Sequence, residues 1–92
     1  MKLSEIPEGQ GATGEIEGLK IAVYNAGDNL MVLKNVCTHR YCQTHWDKES
    51  QSWSCPCHGS RFKADGAVER GPARKSLARV DFHIEDGEIR LG

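Results

Sequence analysis

The chain has 92 residues, 38% of them hydrophobic, with ten glycines, 12 basic and 13 acidic side chains, and a formal net charge of −1. That length builds one small domain with a thin core, whose stability leans on cross-links. Balanced charge implies no nucleic-acid partner, and no stretch approaches the apolar length of a membrane helix.

In chain order, the start Met1-Lys2-Leu3-Ser4-Glu5-Ile6-Pro7 has neither an apolar leader region nor a cleavage signature, so a cytoplasmic location is expected. Gly9-Gln10-Gly11-Ala12-Thr13-Gly14 departs from the dinucleotide-binding pattern and has no βαβ context, so it reads as a loop. Leu19, Ile21 and Val23 then alternate with Lys20, Ala22 and Tyr24, the period of a strand. A turn at residues 25–29 leads to a second run at 30–36.

Next come two blocks, Cys37-Thr38-His39-Arg40-Tyr41-Cys42 and Cys55-Pro56-Cys57-His58-Gly59-Ser60, which hold all four cysteines and two of the four histidines. Soft sulfur with imidazole suits zinc or iron–sulfur chemistry; calcium and magnesium take oxygen ligands. Each block offers one Cys and one His at close range, Cys37 with His39 and Cys55 with His58, which leaves Cys42 and Cys57 as a matched pair. Trp46 and Trp53 flank the turn between the blocks and read as packing residues, while His45 reads as a surface residue in a polar loop.

Beyond the second block, residues 61–63 precede an Asp65-Gly66 turn. Val80, Phe82 and Ile84 alternate with Arg79, Asp81 and His83, and an Asp86-Gly87 turn precedes residues 89–91. His83 reads as an ordinary surface residue. No segment has the period of a long helix, so the fold class is all-β, antiparallel and made of short hairpins. The expected organisation is a single domain over 1–92, with a basal part from 1–36 and 65–92 and an inserted unit at 37–64.

The two blocks resemble the C-x-H…C-x-x-H ligand boxes of Rieske [2Fe–2S] proteins. Ser60, Phe62, Asp65-Gly66 and Gly71-Pro72-Ala73 also fall where the branch resembling cytochrome bc-type complexes has comparable residues, so specific motifs cover residues 30–75. The resemblance implies an antiparallel β-sandwich or barrel with an inserted cluster-binding subdomain. It implies one [2Fe–2S] cluster, with Cys37 and Cys55 on one iron and His39 and His58 on the other, and a disulfide between Cys42 and Cys57. A structural zinc site drawn from the same six residues is the main competing reading.

The function so implied is one-electron transfer by a soluble carrier between partner proteins, with no catalytic constellation of its own. The alternative is a Rieske subunit or domain of a larger oxidoreductase, such as a flavoenzyme; a redox sensor switched by Cys42 and Cys57 is a third class. Ser60 matches a serine that donates to a bridging sulfide in high-potential members. Phe62 stands where those members often carry a tyrosine that donates to a ligand cysteine. The expected potential is therefore above that of ferredoxin-like relatives and below that of tyrosine-bearing ones, with a midpoint that falls at alkaline pH.

Arg40 and Tyr41 replace the Leu-Gly usual after the ligand histidine in quinol-oxidising members, which favours a polar partner over an apolar quinol pocket. Residues 61–80 carry six basic and two acidic side chains, against three basic and five acidic in 1–36. An acidic docking surface on the partner is one reading of this asymmetry, and a solvated strand face is the other.

Overall fold

The computed structural model of the chain describes residues 1–37 and 42–92. Among the described residues there are nine strands and one short 3₁₀ turn at Leu3–Glu5, and every strand pairing among them is antiparallel, as the short alternating runs require. Strands β1 (Gly11–Ile16), β2 (Leu19–Asn25) and β3 (Leu30–Lys34) form one sheet in that order. Strands β4 (His45–Asp47), β5 (Ser52–Ser54), β6 (Arg61–Lys63) and β7 (Val68–Arg70) form a second. The hairpin β8 (Phe82–Glu85) and β9 (Glu88–Leu91) is the third.

The alternation in β2 divides two cores from each other. Ile21 and Val23 pack with Ile6, Ile16, Val32 and Ile89 on one face. Ala22, opposite Leu33 in the register, packs on the other face with Cys37, Trp53, Cys55 and Phe62. All three β2 residues are therefore buried. The first sheet is a wall with a core on each side, and one of those cores holds Cys37 and Cys55.

The glycine-rich segment expected to be a loop is, from Gly11 onward, strand β1, paired with β2 along its full length. Its glycines serve close approach, because a Cβ on Gly11 would lie 2.7 Å from the Trp46 ring and 2.8 Å from that of Trp53. A Cβ on Gly14 would meet the Met1 methyl group. The run from Arg79 to Ile84 is also not one strand. Arg79 bridges to Leu33 and Val80 N–H donates to the Val32 carbonyl, covering the edge of β3, before β8 turns away to pair with β9. Ile84 consequently lies exposed, at 43%.

Candidate metal centre

The second box is braced by its own backbone. Cys55 follows β5, and its N–H donates to the Ser60 carbonyl at 2.8 Å while Gly59 N–H donates back to the Cys55 carbonyl at 3.1 Å. Gly59 has φ of 78°, a left-handed conformation that costs glycine nothing. The turn buries Cys55 and leaves Pro56, Cys57 and His58 exposed. A thiol therefore points inward and an imidazole outward from one short loop.

The first box follows β3. Cys37 is buried, and its N–H donates to the Cys42 carbonyl at 2.6 Å. His39 lies outside the described residues, as do Arg40 and Tyr41 with the docking argument they carry.

The two buried thiols meet. Burial pushes Cys55 above the ordinary thiol value, contact with Cys37 adds to this, and the backbone N–H groups of Cys57 and His58 pull the other way. Two amide donors thus face the Cys55 sulfur, the arrangement that a metal-bound thiolate uses. Cys42 and Cys57 form a disulfide that ties the two boxes, with their sulfurs within 4.8 Å of the Cys55 sulfur. Sulfur in a disulfide offers no thiolate, so Cys37 and Cys55 are the free cysteines and two of the six candidate ligands are withdrawn from metal binding.

Ser60 and Phe62 line the inner side. Ser60 is fully buried, and its Oγ accepts the Ala73 N–H at 3.0 Å, which leaves the hydroxyl proton for donation. That bond also holds residues 71–73 against the second box. Phe62 is fully buried in the core that contains Cys37 and Cys55, directly across the sheet from Trp53. Trp53 in turn packs edge-on to Trp46 at 4.9 Å between ring centres, so both tryptophans are packing residues.

His45 and His83 are both exposed. His45 opens β4 and does not sit in a loop, since its backbone pairs with Ser54. The His83 ring lies 3.1 Å from the Gly92 carbonyl and 3.3 Å from Glu85. Arg61, counted above among the basic residues, is engaged in an ion pair with Asp47 at 3.2 Å and bonds to Ser50 and Ser52. The Ser50 hydroxyl and then Arg61 hold the Asp47 carboxyl below its ordinary value.

Two residues beside the first box escaped the reading of the sequence. Asn35 and Thr44 are buried and bonded to each other. Polar residues just outside a ligand box look like solvated turn residues, and only their pairing across nine positions distinguishes them.

A family model described as the Rieske [2Fe-2S] domain matches residues 1–81. The cytochrome b6-f complex iron-sulfur subunit of Chlorobaculum tepidum is 36% identical over 86 residues, covering 94% of this chain and 48% of the relative. The putative Rieske 2Fe-2S iron-sulfur protein YhfW of Bacillus subtilis is 35% identical over 83 residues, covering 89% of this chain and 16% of the relative. The chain thus spans half or less of the length of these relatives. Among solved structures, the plasma membrane Rieske protein PetC3 of the cyanobacterium Synechocystis superposes with a TM-score of 0.76 at 28% identity, covering 91% of this chain and 86% of that one.

Proposed function

Since this chain belongs to the Rieske [2Fe–2S] domain family, we propose that Cys37 and Cys55 hold the inner iron of its cluster and His39 and His58 the outer one. The cluster, when bound, supplies a one-electron couple whose potential is raised by neutral imidazole ligation. The function is one-electron transfer. The observation that carries the ligand assignment is the polarity of the site: two free thiols buried side by side, and an exposed imidazole on the same turn as one of them.

The chain's own residues then have distinct tasks. Cys37 and Cys55 anchor the inner end within the apolar core, and Phe62 and Trp53 exclude water from it. The N–H groups of Cys57 and His58 are donors toward the Cys55 sulfur, which stabilise added negative charge, and the Ser60 hydroxyl keeps its proton for a further donation. His58 presents the outer end to a partner. All of 1–92 serves as one domain, with the basal parts 1–36 and 65–92 carrying the 37–64 unit.

The partner is a redox protein. Arg70, Arg74 and Lys75 are exposed, and the Ala73–Ser60 bond holds their segment beside the second box. This supports an acidic docking surface on the partner, so transfer rates should fall as salt is added. Similarity to a cytochrome b6-f complex iron-sulfur subunit, 36% identity across 48% of its length, favours a second reading, in which this chain is the cluster-bearing part of a larger assembly. Co-elution with a larger partner on isolation from the source separates that reading from a free carrier.

No helix among the described residues is long and apolar enough to cross a membrane. A cytoplasmic site of action requires the Cys42–Cys57 bond to resist the cellular thiol pool. Alkylation with and without reductant, read by mass, reports the state of that bond in the cell.

Iron, acid-labile sulfide and the electron paramagnetic resonance spectrum of the reduced protein test the assignment. A rhombic signal of low average g value is expected. Stoichiometric zinc with neither iron nor sulfide would sink it.

A further inference from the structure

Asn35 and Thr44 stand just outside the two ends of the first box, at 0% and 1% exposure. Asn35 follows β3, and its N–H donates to the Lys20 carbonyl of β2 at 2.9 Å. Thr44 immediately precedes β4. Between the two side chains, Asn35 Oδ1 accepts the Thr44 N–H at 2.8 Å and the Thr44 hydroxyl at 2.7 Å, and Asn35 Nδ2 donates to the Thr44 carbonyl at 3.3 Å. Two positions further in, Cys37 N–H donates to the Cys42 carbonyl. The box is closed at its base by two rungs, an outer one made through the Asn35 side chain and an inner one made by backbone.

The two ligand boxes are therefore braced in different ways. The second is held by its own turn and by Ser60 against Ala73. Apart from the Cys42–Cys57 disulfide that joins the two, the first is tied by Asn35 to β2 through Lys20 and to β4 through Thr44. Because this pair is sealed from solvent, water cannot replace a lost bond there, and the loop base must shift or carry an unpaired group. Cys37 lies two residues from that base, so a shift there changes how its thiol meets Cys55.

We propose that Asn35 and Thr44 are positioning residues for the first ligand box: they set the placement of Cys37 relative to Cys55 and thereby govern cluster retention and midpoint potential. The proposal rests on Cys37 and Cys55 being ligands. It adds two residues to the electron-transfer machinery that bind no iron and that the ligand-box pattern does not contain.

The test compares Thr44→Ser, Thr44→Val and Asn35→Ala in the cluster-loaded protein. Loss of visible absorbance to an iron chelator gives the release rate, voltammetry gives the midpoint, and paramagnetic resonance of the reduced form reports ligand geometry. Thr44→Ser keeps every bond and should match the parent in all three. Thr44→Val keeps the shape and loses the 2.7 Å hydroxyl donation, so release should quicken by roughly tenfold, the scale of one lost buried bond, with a displaced midpoint. Asn35→Ala should release faster still. Should Asn35→Ala fail to fold, Thr44→Val carries the test alone. A Thr44→Val protein that melts lower yet keeps the parent's release rate and midpoint overturns the proposal, since a merely structural bond behaves that way. A parent protein without iron and sulfide overturns the ligand assignment itself, whereas a coloured parent with indifferent variants overturns only the positioning role.

Discussion

The two faces of the β1–β3 sheet carry cores of different make-up. One is aliphatic, with Ile6, Ile16, Ile21, Val23, Val32 and Ile89. The other mixes small residues and large rings with the two free thiols: Ala22, Leu33, Cys37, Trp53, Cys55, Phe62, Ala73 and Leu77. Branched aliphatic side chains fill space interchangeably and give up a methyl group at modest cost. The second core encloses the two free thiols, so a change in volume there moves the sulfurs proposed as cluster ligands. The proposed ligand sulfurs thus lie on one side only of a thin sheet, within a core that also holds the largest fully buried rings.

The largest expected break in this comparison comes from Trp53→Ala. It removes a fully buried ring and its hydrogen bond to the Ala64 carbonyl, and should cost about 3–5 kcal/mol in urea unfolding together with loss of colour. Next is removal of the Cys42–Cys57 bond by paired serine substitution. With a sequence separation of 15 the cluster-free protein should lose about 3 kcal/mol, and the loaded protein less, because the ligands tie the same two loops. Equal losses in both forms would mean that the two cross-links act independently.

Phe62→Tyr sharpens the redox side. A hydroxyl donating to a ligand sulfur should raise the midpoint by up to about 100 mV, the one-electron equivalent of a charged-group hydrogen bond, and voltammetry reads it directly. On the aliphatic side, Ile89→Val should cost only about 0.5–1.5 kcal/mol and leave the cluster spectrum unchanged. A spectral change from Ile89→Val would erase the distinction between the faces.

The smallest effect belongs to His83, far from both boxes in sequence and exposed. Hydrogen bonding to the Gly92 carbonyl, and then to Glu85, raises its pKa above the ordinary 6.5. The folded form binds this proton more tightly, so the stabilisation is complete below the ordinary value and is lost as pH rises through the raised one. His83→Gln should flatten that part of the pH dependence of the melting temperature. It should not alter the midpoint potential.

The spacing of Cys and His in the two boxes, the alternation in β2 and the turns at Asp65-Gly66 and Asp86-Gly87 were legible because each is a local pattern, set by ligand chemistry or by the two-residue period of a strand. The resemblance those boxes carry supplied the Cys42–Cys57 pairing, which the fold then bears out. Tertiary structure alone made Gly11 a strand residue, because the rings that exclude its Cβ belong to Trp46 and Trp53, more than thirty positions away. It alone withdrew Arg61 into an ion pair with Asp47, split residues 79–85 between two partners and joined Asn35 to Thr44. A glycine, an arginine or an asparagine has no preference that names its neighbour; the neighbour is supplied by packing, and packing is decided only when distant strands meet.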